Sequence, residues 1–194
     1  MRFAIRDDDT NYFTQPQDLE RCYGDIWQDF PPTLSLISKV KGNWLYWVHQ
    51  IYKDKQDTDW AAWEKDNIIH PIESNTPLVT FMKEKIAQHK LDISFHAKHH
   101  RNEDHELPEN RNNNYVRGAE YFTSRYLRDE IKQEITHLNK IFNADISVFT
   151  PPQNLLSPLG YKAVLDAGLN ICGGGLPFYK KEKDIQGLFN MARQ

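Results

Sequence analysis

The segment Asp92-Ile93-Ser94-Phe95-His96-Ala97-Lys98-His99-His100 carries two patterns at once. Its first half alternates apolar and polar residues and reads as a short strand. Its second half is a histidine cluster in which His96 and His100 stand four apart. A helical turn beginning after Phe95 would place both imidazoles on one face. Two imidazoles held that way are two ligands of a divalent cation. His99 offers other choices: it pairs with His96 at a spacing of three and lies next to His100. A third ligand must come from elsewhere, and the best supply is Asp7-Asp8-Asp9 near the start. The expectation is that these two distant pieces meet at a metal.

Working outward, strands and helices alternate on both sides. Upstream, Thr76-Pro77 opens a helix with Leu78, Phe81, Met82 and Ile86 as its buried stripe. Before it, residues 41–76 are irregular and hold Trp44, Trp47, Trp60 and Trp63, consistent with a long connection containing one or two helices. Residues 33–38 alternate as a strand, residues 18–30 read as a helix with Leu19, Cys22, Tyr23, Ile26 and Trp27 on one stripe, and residues 2–6 read as a strand that ends at the aspartates. Downstream, residues 102–117 are polar and read as an exposed loop. The longest periodic stretch, residues 120–143, reads as a helix. Residues 145–150 read as a strand that runs into Pro151-Pro152-Gln153-Asn154. Ser157-Pro158 then caps and opens a helix ended by Gly168, and residues 169–172 form a last short strand. A strand–helix–strand succession predicts an α/β protein with a parallel sheet or barrel.

The totals bound the possibilities. The 194 residues, 39% hydrophobic and 26% charged, suit one globular domain over residues 1–194 with a full core rather than a disordered chain. A net charge of -3 with no basic stripe gives no case for nucleic acid. No apolar run is long enough to span a bilayer or to form a leader, so a cytoplasmic protein is expected. The two cysteines, Cys22 and Cys172, have no spacing signature and read as reduced structural thiols.

Several groups are candidates for chemistry. A run of three acids is ordinarily a solvated stretch. Here it follows an apolar strand, and the carboxyl ends of strands are where α/β folds place their sites. Adjacent aspartates on a strand point opposite ways, so one carboxylate can bind a metal while its neighbour serves as a base. Pro151-Pro152 terminates a strand, and a rigid turn there can aim backbone N–H groups at a substrate oxygen. The tryptophans, spaced three apart in two pairs, suit core packing or, where exposed, stacking on a sugar. Gly173-Gly174-Gly175 lacks the Lys-Ser/Thr of a phosphate loop and reads as a turn.

Taken in order, Ile5-Arg6-Asp7-Asp8-Asp9, Ser94-Phe95-His96-Ala97-Lys98-His99-His100 and Val148-Phe149-Thr150-Pro151-Pro152-Gln153-Asn154 resemble the three motifs of the polysaccharide deacetylase family, carbohydrate esterase family four and its uncharacterised relatives. The resemblance runs from Phe3 to about Gly173. It implies a distorted (β/α) barrel with fewer than eight strands, and a metal-dependent hydrolase that removes an N-acetyl or related acyl group from an amino sugar or glycan. It makes Asp8 the catalytic base and Asp9, His96 and His100 the metal ligands, with Zn2+ as the ion. Aligned one residue earlier, those acidic roles fall on Asp7 and Asp8. The proline segment, through Pro152 and Asn154, is the expected substrate-binding turn, and a carbohydrate is the expected partner.

The chain departs from the family pattern in three places. Thr10 replaces the usual glycine after the acids, the arginine often found before the proline segment is absent, and no histidine follows His137 to serve as general acid. The last departure implies that another group protonates the leaving amine or that the barrel is incomplete at its C-terminus, and it supports the alternative of a non-catalytic member that binds metal or carbohydrate. An open barrel edge would invite a partner copy in a homo-oligomer.

Overall fold

The computed structural model describes residues 4–44, 60–101, 119–123 and 125–173. In chain order the elements are β1 (Arg6–Thr10), α1 (Pro16–Tyr23), β2 (Thr33–Ile37), β3 (Lys39–Lys41), α2 (Trp60–Lys65), β4 (Ile69–Pro71), α3 (Thr76–Ala87), β5 (Asp92–Ala97), α4 (Arg128–Phe142), β6 (Val148–Phe149), α5 (Pro158–Asp166) and β7 (Asn170–Ile171). Five strands form one parallel sheet in the order β1-β2-β5-β6-β7, while β3 and β4 form a separate antiparallel pair. The protein is α/β. Helices consecutive around the sheet touch: α1 with α3, α3 with α4, and α4 with α5.

Alternation on the central strands explains both the core and the site. Leu36, Phe95 and Phe149 are register partners across β2, β5 and β6 and are fully buried. Tyr121 packs edge-on against Phe149 at 5.1 Å. Ser35 and Ser94, also register partners, carry hydroxyls 2.9 Å apart, and Ser35 donates to the Thr150 hydroxyl at 3.1 Å. All three are buried without cost because each hydroxyl has a partner. His96 lies two residues beyond Ser94 and so continues this polar row toward the end of β5.

Several boundaries differ from the sequence expectation, for physical reasons. The first strand lies at Arg6–Thr10, so the aspartates are inside it rather than beyond it. A strand tolerates them because each carboxylate has a partner, as described below. The chain after Phe95 forms no helical turn; β5 runs on through His96 to Ala97, held by the pairing of Ala97 with Ile37. The first helix stops at Tyr23 and continues as turns to about residue 30, which still bury Trp27. The long helix begins at Arg128, not at residue 120, because Ser157 holds residues 121–123 in turns: its hydroxyl accepts from Thr123 N–H at 3.2 Å and donates to the Thr123 carbonyl. The same hydroxyl caps α5, accepting from Gly160 N–H at 3.0 Å, as expected for Ser157. Asn75 caps α3 through Leu78 N–H and donates to the Tyr12 and Thr14 carbonyls, fixing the loop after β1. The strand over 145–150 shortens to β6.

Cys22 and Cys172 are free, exposed thiols. Among the described residues no helix is long and apolar enough to cross a membrane. The expected loop at 102–117, Trp47, Gly174, Gly175 and the chain after Gly173 lie outside the described residues, as do residues 2 and 3 of the expected first strand.

Candidate metal centre

Asp9, His96 and His100 converge, although 87 residues separate the first two. Asp9 Oδ1 is 3.0 Å from His96 Nε2 and 3.2 Å from His100 Nε2. The two imidazole centroids are 5.1 Å apart. Both histidines are buried, whereas the Asp9 side chain is 44% exposed, so the trio opens to solvent on the aspartate side. Of the metal-ligand candidates read from the sequence, these three are the ones brought together.

Local backbone features set each ligand. The β1–β2 register slips between Asp7 and Thr10, and within that irregularity Asp9 has φ 76. A bulge of this kind re-aims a side chain. Asn11, itself buried, locks the turn by donating from Nδ2 to the Asp9 carbonyl at 2.7 Å and accepting from Phe13 N–H at 2.9 Å. His96 is placed by β5 and oriented by its Nδ1–H, which donates to the Thr150 carbonyl at 2.7 Å. His100 has φ 72, a left-handed conformation that costs a non-glycine residue about 1–2 kcal/mol. Of the six left-handed non-glycine residues among those described, four lie just beyond or within the carboxyl ends of strands: Asp9, His100, Gln153 and Asn154. Backbone strain gathered in this way is characteristic of functional sites.

The protonation pattern suits a cation. A carbonyl can only accept, so His96 Nδ1 carries a proton, and the neutral tautomer turns a lone pair on Nε2 toward Asp9. Two acceptors 3.0 Å apart need a proton or a cation between them. Burial pushes the Asp9 carboxyl up, but a proton donated from the His100 or His96 ring outweighs it and holds the group well below the usual carboxylate range, and a cation in the proton's place would act in the same direction. Burial pulls the His100 imidazole below its ordinary value, against the opposing pull of Asp9. An ionised carboxylate beside neutral imidazole is the state in which these side chains bind metal. His100 Nδ1 is buried with no hydrogen-bond partner among the described residues, and the Trp44 ring meets His100 edge-on at 5.0 Å.

The neighbours sort themselves around this trio. His99 turns away, donating from Nδ1 to the Lys39 carbonyl at 2.6 Å. Asp7 accepts from the Tyr23 hydroxyl at 2.7 Å. Asp8 is gripped by Arg6, whose Nε and Nη2 lie 2.9 and 3.0 Å from its two oxygens. The same guanidinium donates to the Cys172 carbonyl at 3.2 Å, linking β1 to the chain just past β7. In the proline turn Pro152 is buried and Asn154 exposed; no hydrogen bond among the described residues ties either to the trio. The turn meets the site instead through Thr150. Gln153, which sequence reasoning passed over, has both carboxamide atoms buried and without partners among the described residues.

Glu120 is the other residue missed. Its carboxylate accepts three successive backbone N–H groups, from Lys98 at 3.2 Å, His99 at 2.8 Å and His100 at 2.6 Å. Burial pushes this carboxyl up to about 7, against the pull of those amides. An isolated bridge between Arg101 and Ala119 returns the chain to this position. Its only signal in the sequence is an acid set directly before Tyr121 and Phe122, which the helical periodicity of residues 120–143 masked.

No family model matches the chain, and no curated protein matches it either.

Proposed function

We propose that the chain is a metal-dependent hydrolase that removes an N-acetyl or related acyl group from an amino sugar or glycan. The observation that carries this is the Asp9–His96–His100 trio at the carboxyl ends of β1 and β5, with Nε2 of both histidines facing the carboxylate and His96 backed through Nδ1 by the Thr150 carbonyl. Two imidazoles and a carboxylate with an open side suit catalytic zinc, and a zinc ion there would polarise the acyl carbonyl and lower the pKa of water toward ~7.

The chain's own residues supply the rest. Asp9, His96 and His100 hold the ion. Thr150 fixes the His96 tautomer through its carbonyl, and Asn11 fixes Asp9 through the backbone. Asp8 takes the proton of the attacking water at a carboxylate oxygen, with Arg6 holding it in place; general-base help of this kind is worth about 10²–10⁴-fold in rate. The scaffold is a (β/α) barrel of fewer than eight strands. Its strands follow chain order, and its helices touch in succession, as right-handed crossovers in one direction require. A flat five-stranded sheet would hold its outer strands about 19 Å apart, four spacings of ~4.8 Å, and the Arg6 bond to the Cys172 carbonyl just past β7 supports a curled sheet.

A second reading is a non-catalytic member of the same fold. Arg6 holds Asp8 in an ion pair, donating to Oδ2 with its Nε 2.9 Å from Oδ1, and an ion-paired carboxylate is a weaker base. Acetate release from N-acetylated amino-sugar oligomers by zinc-loaded protein separates the two. The hydrolase reading expects release that stops with chelator and falls at least about 100-fold in Asp8→Asn, with zinc affinity kept. Glycan binding without any acetate release establishes the second reading and ends the first.

A further inference from the structure

Three consecutive amides pointing at one carboxylate make an anion-binding turn. Here His100 is left-handed, and the carboxylate at the focus belongs to Glu120. The shortest of the three contacts, 2.6 Å, is to the amide of His100 itself. The ring of His100 is therefore aimed by a backbone turn that its own sequence does not favour. His100 is not glycine, and the His99 ring donates from Nδ1 to the Lys39 carbonyl.

We propose that Glu120 is a positioning residue for the cation site: its carboxylate gathers the amides of Lys98, His99 and His100 and so sets the turn that brings His100 Nε2 to Asp9. This rests on the reading that Asp9, His96 and His100 hold a divalent ion. Glu120 touches neither the ion nor the substrate; it acts through His100 alone. A residue 20 positions along the chain and in no metal motif thereby becomes part of the apparatus that fixes ligand geometry, as outer-shell partners do.

The test is a zinc and cobalt titration of full-length wild type, Glu120→Gln, His100→Ala, His96→Ala and the two double variants. Glu120→Gln weakens zinc about 10–100-fold and shifts the visible bands of bound cobalt. In the His100→Ala background the same substitution changes affinity less than twofold, whereas in His96→Ala it keeps its full effect. Glu120→Asp, which retains the charge but is one methylene too short to meet all three amides, falls between wild type and Glu120→Gln and covers the case in which Glu120→Gln does not fold. Wild-type affinity in Glu120→Asp and Glu120→Gln overturns the proposal, as does an equal loss in both histidine backgrounds, which marks a general weakening of the fold. Wild type that binds no zinc overturns the cation reading itself, and this proposal with it.

Discussion

Asp9→Asn isolates the charge at the centre of the trio. Asparagine has the shape of aspartate and, with aspartate, is the non-glycine residue best suited to the φ of 76 found there. Asparagine loses the stabilisation that the lowered Asp9 carboxyl gives the metal-free fold, so each protein is compared with its own zinc-free baseline. Its further effect falls on metal binding. At zinc 100-fold above its Kd, wild type gains about 2.7 kcal/mol from mass action. For a chain of 194 residues, at about 2–4 °C per kcal/mol, that is a rise in Tm of about 5–11 °C. Outer-shell partners are worth about 10–100-fold in affinity, so losing the coordinating carboxylate is set at about 100-fold. At the same zinc concentration the variant then gains about 0.4 kcal/mol, or roughly 1–2 °C. Differential scanning calorimetry with and without zinc measures both shifts. Equal shifts in wild type and Asp9→Asn refute the reasoning, because zinc would then be stabilising the fold from somewhere else.

Three further outcomes follow from the geometry. Zinc competes with protons for the His100 imidazole, and burial holds that group below the ordinary imidazole value of about 6.5, so affinity is kept down to that pH and falls on further acidification; calorimetric titration that finds tighter binding in acid contradicts this. Gly160→Ala, ordinarily worth about 1 kcal/mol of stabilisation inside a helix, instead destabilises α5 by about 2 kcal/mol or more, because its Cβ would lie 2.0 Å from the Tyr121 carbonyl oxygen; urea denaturation reads the sign. Ser157→Ala costs about 1–2 kcal/mol in the same assay, since one hydroxyl both caps α5 and holds Thr123, and a loss below about 0.5 kcal/mol argues against the cap.

The sequence disclosed the ligands better than the backbone that aims them. Asp9, His96 and His100 were legible because their side-chain chemistry is rare and each follows an apolar run that must be a strand. The frame of β1 was not, because an acidic run looks incompatible with a strand until Tyr23, Arg6 and the histidines are seen to satisfy it. The helical turn expected after Phe95 failed for a related reason. Four-residue spacing suggested a helix, but strand pairing carries β5 through Ala97 and a left-handed residue does the turning. That turn depends on Glu120, a long-range partner that no local pattern around His100 announces. The five parallel strands were readable from alternation and turn residues. The Arg6 bridge between β1 and the end of β7 was not, because it joins residues 166 apart.

The central claim is that one cation is shared by Asp9, His96 and His100. X-ray absorption at the zinc edge of the zinc-loaded chain tests it most directly. The account predicts nitrogen and oxygen ligands at about 2.0–2.1 Å with imidazole scattering that diminishes in His96→Ala and again in His100→Ala. A zinc spectrum without imidazole, or one unchanged by those substitutions, would contradict it.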